Sequence, residues 1–176
     1  LKNRRNKEAL DNSLKLSKKH PTSVPVIQLL SKVYITMGDY QSAIKEYSKL
    51  VNSEPSNATT LKTLGSMYLK NNEPQNAIYT YQKILEFAPQ DFETHYKIGN
   101  AYFEKNDFTG AIKNYEKALK LNPSFFQALY NLGNTFLSLK KFDKSVELFK
   151  KCLIVNPNHK DVLGNLGVAL LEIGEI

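Results

Sequence analysis

The sequence predicts an all-α solenoid built from antiparallel helix pairs, and three observations carry that prediction. Five prolines, Pro21, Pro55, Pro89, Pro123 and Pro157, follow one another at a constant interval of 34 residues, and only Pro25 and Pro74 lie outside the series. Similar side chains then recur at fixed offsets from each proline. Six residues on stand Ile27, Leu61, His95, Leu129 and Leu163; nine and ten on stand Leu30–Ser31, Leu64–Gly65, Ile98–Gly99, Leu132–Gly133 and Leu166–Gly167. Thirteen on come Tyr34, Tyr68, Tyr102, Phe136 and Leu170; twenty-two on, Ala43, Ala77, Ala111 and Ser145; twenty-six on, Tyr47, Tyr81, Tyr115 and Phe149. Finally, each period holds two segments with helical apolar spacing: Phe108, Ala111, Ile112, Tyr115, Ala118 and Leu119 fall at i, i+3, i+4, i+7, i+10 and i+11, one continuous stripe. A single globular core does not repeat its contacts at one interval, whereas stacked supersecondary units do.

Taken in order, residues 1–23 are expected to form the second helix of a truncated repeat and the turn after it. Ala9 falls on the small position, with Leu10, Leu14 and Leu16 as its apolar contacts. Complete repeats are expected at 24–57, 58–91, 92–125 and 126–159, and 160–176 as the first helix of another truncated repeat, all in one continuous domain. First helices are expected near 24–37, 58–71, 92–105, 126–139 and 160–173, with Asp91 placed to cap the third of them. Met37-Gly38-Asp39, Lys105-Asn106-Asp107 and Ile173-Gly174-Glu175 supply the glycine or asparagine that tolerates a left-handed backbone after a helix end. Second helices are expected near 40–53, 74–87, 108–121 and 142–155. Pro74 opens one of them, where its missing N–H matters little, and the periodic prolines close them, because the residue before a proline is pushed out of the α region. Gly99 and Ala111 are expected to meet where the two helices of a pair cross.

The 34-residue period and these offsets resemble the tetratricopeptide repeat over essentially the whole chain. That resemblance implies a right-handed superhelix whose first helices line a concave face holding an extended peptide or a partner helix. His95, Ile84 and Cys152 stand where the family tends to have an aromatic residue and two alanines, and Ser31 and Ser145 replace the usual glycine and alanine with residues that are still small.

Composition narrows the function classes. Hydrophobic residues make up 41% of the chain, enough for a packed core. One cysteine, Cys152, excludes an internal disulfide. No apolar run approaches the roughly 20 residues of a membrane span, and the start, LKNRRNKEAL, lacks the apolar stretch of a secretory signal. A soluble, cytoplasmic protein without membrane insertion is expected. A beginning without Met and an end inside a repeat suggest a piece of something longer. The net charge of +7 is concentrated at the start, where Lys2, Arg4, Arg5, Lys7, Lys15, Lys18 and Lys19 face only Glu8 and Asp11; such a run reads as a solvated helix face.

Chemistry is sparse. His20 and His159 fall in turns between repeats, His95 and Cys152 on packing positions, and no glycine-rich phosphate loop is visible. A non-enzymatic chain without cofactor or metal is expected. What remains is a surface. By offset from each proline, the resemblance places Gln28, Lys32, Lys62, Thr63, Ser66, Lys70, Tyr96, Lys97, Asn100, Gln127, Tyr130, Asn131, Asn134 and Asn165 along the groove. Asparagine offers a donor and an acceptor together and so suits the backbone of an extended peptide; Tyr96 and Tyr130 add rigid area with a polar tip. The carboxylate clamp of the chaperone-binding members is matched by Asn100 and Asn131, but Tyr96 replaces its first Lys, and Asp161 and Asn165 its basic pair. YNLGN at 130–134 and GNLGV at 164–168 resemble the asparagine ladder of O-linked N-acetylglucosamine transferase through Asn131 and Asn165, whereas Thr63 and Lys97 interrupt it.

The expected function is therefore a protein-protein interaction scaffold for a protein or peptide partner. One alternative is a substrate-recruiting array of a larger glycosyltransferase or sulfotransferase; the other is a nucleic-acid-binding helical repeat. Against the last, Lys32, Lys62, Lys70 and Lys97 are offset by Glu93, Glu104, Asp161 and Glu172, so no nucleic acid is expected. The aliphatic residues Val162, Leu163, Leu166, Leu170 and Ile173 lie on the packing side of a helix with no second helix after it. Self-association through residues 160–176, or fraying there, is expected.

Overall fold

A computed structural model of the chain describes residues 2–174, with side chains from residue 5 onward. The side chains of Lys2 and Arg4, and Glu175, all named above, lie outside the described residues. There are ten α-helices and, among the described residues, no strand: α1 (Lys2–Lys19), α2 (Val24–Met37), α3 (Tyr40–Ser53), α4 (Ala58–Lys70), α5 (Pro74–Phe87), α6 (Phe92–Glu104), α7 (Phe108–Leu121), α8 (Phe126–Ser138), α9 (Phe142–Val155) and α10 (Lys160–Ile173).

Local chemistry sets these boundaries. The side chains of Asp39, Asn57, Asp91 and Asp107 each accept a hydrogen bond from the backbone N–H three residues on, at 2.9–3.0 Å, and so open α3, α4, α6 and α7. Each first helix ends in a left-handed residue, and these five stand one repeat apart: Gly38, Asn72, Asn106, Lys140 and Gly174, with φ between 56° and 80°. Asn72 and Lys140 extend the expected set. Before the periodic prolines the backbone opens out, at φ −135° for Glu54, −138° for Asn122 and −141° for Asn156.

The chain forms two compact units, Leu1–Phe87 and Ala88–Ile176. In the N-terminal unit each helix packs on the next, α1 on α2 through α4 on α5. Its core joins Ile27, Ala43, Ile44, Tyr47, Leu50, Leu64 and Met67. In the C-terminal unit the same sequential packing runs from α6 to α10, and the first helices α6, α8 and α10 also touch one another in turn. Its core joins Ala111, Tyr115, Leu129, Leu132, Phe136, Leu148, Phe149, Cys152 and Val162.

Two expectations need correction, those for α1 and α10. At Gly99 the space a side chain would need is filled by the ring of Tyr115, 2.6 Å from where a Cβ would stand. Tyr81 fills the equivalent space at Gly65, and Phe149 at Gly133. Glycine is needed there because an aromatic ring occupies the space that a Cβ would take. The small positions do come together, since Ser31 Oγ lies 3.5 Å from the Ala43 carbonyl and Ser145 Oγ 2.9 Å from that of Gly133. On α1, Ala9 and Leu16 are exposed and Ser13 is the buried residue, because α1 packs on α2 alone. On α10, Leu163 is 47% exposed in line with the expected open stripe, but Val162, placed in that stripe, is fully buried because α9 packs against its side. Ile84 and Cys152, the larger residues at alanine positions, are fully buried. His95 is also buried and bonds the Pro89 carbonyl through Nε2 at 3.1 Å.

Candidate functional site

The first helices of the C-terminal unit bring Tyr96, Asn100, Tyr130, Asn131, Asn134 and Asn165 together in two clusters with the same design. Tyr96 and Asn100 lie one helical turn apart on α6, and Tyr130 and Asn134 likewise on α8, so each pair shares a face. In the first cluster Asn131 reaches back from α8, its Nδ2 donating to Asn100 Oδ1 at 2.8 Å and to the Tyr96 hydroxyl at 3.3 Å. In the second, Asn165 reaches back from α10 and donates to Asn134 Oδ1 at 2.7 Å and to the Tyr130 hydroxyl at 3.5 Å. All six side chains are half-buried, so the clusters are held by the fold and remain open to a partner.

A layer of rings supports each cluster. Tyr96 packs edge-on against Phe125 at 5.1 Å, and Phe125 against Phe92 at 5.0 Å. One repeat later Tyr130 and Phe126 lie 6.2 Å apart and flank His159, at 5.8 Å and 4.8 Å. Phe125 and His159 occupy the cap position that Asn57 and Asp91 fill earlier, and neither caps its helix through its side chain. A capping bond has been exchanged for an aromatic contact under the tyrosine. The clusters differ beneath. The buried Tyr115 hydroxyl donates to Asn100 Oδ1 at 2.8 Å, whereas Asn134 has Phe149 at the corresponding place. Burial raises the pKa of the Tyr115 phenol, and the nearby Asn131 amide offsets part of that rise. Sequence reasoning missed Tyr115, Phe92, Phe125, Phe126 and His159 as supports; the signal was present, since Phe92 and Phe126, like Phe125 and His159, are one period apart.

The remaining expected lining residues are less organised. Lys97, on α6 beside Tyr96, is half-buried, and Gln127 is exposed on α8. In the N-terminal unit, Gln28, Lys32 and Lys70 are exposed, while Lys62, Thr63 and Ser66 are half-buried. Thr63 and Ser66 turn their hydroxyls onto carbonyls of their own helix, those of Thr59 and Lys62. Ser66 also meets the Tyr81 hydroxyl at 3.2 Å, one repeat before Asn100 meets Tyr115.

Cys152 is fully buried, and burial pushes its thiol up to about 11, so it is scarcely ionised at neutral pH. Among the described residues no three of His, Cys, Asp and Glu gather where they could hold a metal ion, and no helix is long and apolar enough to cross a membrane.

Paired helices, a constant period and glycine-on-aromatic contacts define an all-helical repeat protein. The sequence matches tetratricopeptide repeats over residues 24–57 and 126–159, and the TPR repeat over 65–105 and 99–140. The chain belongs to the tetratricopeptide repeat family. Among solved structures it is similar to MamA, with 27% identity, a TM-score of 0.74, and coverage of 86% of this chain and 82% of that one. It is also similar in fold to YrrB, described as a TPR protein with an unusual peptide-binding site (20% identity, TM-score 0.71, covering 92% and 83%). A third is TTC0263, a thermophilic TPR protein of Thermus thermophilus (18% identity, TM-score 0.70, covering 95% and 91%). A search of curated proteins found no match.

Proposed function

We propose that the chain is a protein-interaction module that holds an extended segment of a partner protein along the face of its first helices. The observation that carries this reading is the repeated Tyr–Asn cluster. In each, one asparagine amide ties two neighbouring first helices together and fixes the orientation of a tyrosine and a second asparagine before any partner arrives. A preorganised polar face loses little side-chain freedom on binding. Amide groups suit the one feature that every extended peptide presents, its alternating backbone N–H and C=O groups. On this reading Tyr96, Asn100, Tyr130, Asn131, Asn134 and Asn165 form the principal contact. Lys97 and Gln127 flank it on α6 and α8, and in the N-terminal unit the first helices offer Gln28, Lys32, Lys62, Thr63, Ser66 and Lys70 as side chains that select among sequences.

The same fold carries a peptide-binding site in YrrB, which supports the class of ligand. The test is selection from a random peptide library against the whole chain, followed by affinity measurement on variants. Asn100→Ala and Asn134→Ala should each weaken the selected peptide, while Glu116→Lys and Lys150→Glu, exposed on the second helices α7 and α9, should leave it unchanged. The opposite pattern would move the site to the second-helix face.

A further inference from the structure

We infer that the Tyr115 hydroxyl fixes the polarity of the first Tyr–Asn cluster, so that α6 offers a bound segment a hydrogen-bond donor and α8 an acceptor, whereas the second cluster, built on Phe149, has no fixed polarity. This rests on the groove reading and adds to it what each cluster selects. An asparagine amide carries a donor at one end and an acceptor at the other, and its partners decide which end faces inward. Asn100 Oδ1 accepts from the Tyr115 hydroxyl and from Asn131 Nδ2, both at 2.8 Å. Asn131 spends its other Nδ2 hydrogen on the Tyr96 hydroxyl. The opposite end of the Asn100 amide, Nδ2, is thereby turned away from Tyr115 with its hydrogens to offer, and Asn131 Oδ1 is left as an acceptor. If the two amides reversed together, the side chains would stay where they are and the bond between them would survive, Asn100 Nδ2 donating to Asn131 Oδ1. The Tyr115 bond would not survive. Tyr115 is 1% exposed, and among the described residues Asn100 Oδ1 is the one acceptor that its hydroxyl bonds. Reversal would leave its buried proton facing a donor, which strands a polar group away from water. Burial also raises the pKa of the phenol, which keeps that proton in place.

The second cluster repeats every part but this one. Asn165 Nδ2 donates to Asn134 Oδ1 and to the Tyr130 hydroxyl. Phe149, fully buried one period after Tyr115, carries no hydroxyl to hold the Asn134 oxygen inward. Reversing both amides there strands nothing: Asn134 Nδ2 would donate to Asn165 Oδ1, and the Tyr130 hydroxyl would turn its own proton to the same oxygen. Asn134 can therefore present either end to a partner. Asn100 presents its nitrogen, and so calls for a carbonyl oxygen of the bound segment at that point.

Neutron diffraction on deuterium-exchanged crystals of the whole chain locates the amide hydrogens and tests this without any partner. Asn100 should show its nitrogen turned outward, and Asn134 both orientations. Tyr115→Phe should give Asn100 both orientations, and Phe149→Tyr should give Asn134 one, its nitrogen outward; a ring that acted only as packing would move neither. Phe149 already fills the equivalent position without a hydroxyl, so Tyr115→Phe keeps the packing. Affinity for the peptide selected from the random library is the second readout. Tyr115→Phe should weaken it about twofold, as the competent orientation falls to about half. Asn100→Asp keeps an oxygen facing Tyr115 and Asn131 but replaces the outward donor by an acceptor, and should weaken it about tenfold or more. An Asn100 nitrogen facing Tyr115, a single orientation of Asn134 in the unsubstituted chain, or orientations unmoved by both ring substitutions would overturn the assignment and leave the groove reading standing. Affinity indifferent to Asn100→Asp would overturn it as well, and the groove reading falls with it only if Asn100→Ala is equally silent.

Discussion

The two compact units share a period and a packing rule yet differ on the face of their first helices. In the N-terminal unit that face carries Gln28, Lys32, Lys62, Thr63 and Ser66; at corresponding positions the C-terminal unit has Tyr96, Tyr130, Asn131, Asn100 and Asn134. Thr63 and Ser66 bond to carbonyls of their own helix, Ser66 also meeting Tyr81 of the paired helix, whereas Asn131 and Asn165 bond across to the preceding first helix. The difference in reach explains the difference in role. A hydroxyl one bond from Cβ is captured by the carbonyl four residues back, while a longer amide can span to the next helix. Thr63 and Ser66 therefore make no bond to a neighbouring first helix, whereas Asn131 and Asn165 join the first helices of the C-terminal unit into a connected network.

The packing rule shared by both units is the place to break them, and the largest effect is expected there. Gly99→Leu drives a side chain into the Tyr115 ring and should destabilise by about 3 kcal/mol or more, read as a fall in Tm with lost hydrogen-exchange protection across α6 and α7. Gly65→Leu should do the same to α4 and α5. Gly167→Leu, with open space around it, should leave stability nearly unchanged.

Alkaline pH reaches both units through the same buried positions. Burial raises the pKa of Tyr81 and of Tyr115 above the ordinary 10.0. Both phenols stay neutral in the folded protein while the unfolded chain ionises near its ordinary value. Stability is therefore fully present below pH 10 and is lost as pH rises above it, by about 1.4 kcal/mol per tyrosine per pH unit until the folded group also titrates. Denaturant titrations at rising pH should show this loss, and Tyr81→Phe should reduce it.

The network distinguishes the units. Asn131→Ala removes two hydrogen bonds between α6 and α8 and should cost about 1–3 kcal/mol. Thr63→Ala, at the same position in the N-terminal unit, removes only a bond within one helix and should stay within about 0.5 kcal/mol. Equal losses in chemical denaturation would erase the proposed contrast. One substitution should bring a gain. Lys140 alone among the five left-handed turn residues is neither Gly nor Asn, so Lys140→Asn should raise stability by about 1 kcal/mol, seen as a small increase in Tm.

Much of this molecule was determined by local sequence. Helix starts follow from capping carboxylates and amides, helix ends from a left-handed residue or an approaching proline, and both kinds of signal act over a few bonds. The period then forced each repeat to resemble the last, which is why the boundaries of α3, α5, α7 and α9 could be read directly. The candidate lining residues were legible for the same reason, as offsets from a proline. Tertiary structure decided what those residues touch. Nothing local says that Gly99 makes room for the Tyr115 ring, that Asn131 reaches across to Asn100 and Tyr96, or that Phe125 gives up a helix cap to support a tyrosine. Those contacts join residues on different helices, up to a full repeat apart in the chain, and their partners are set by how the helices pack. The period was written along the sequence; the connections between its copies exist only once the copies are stacked.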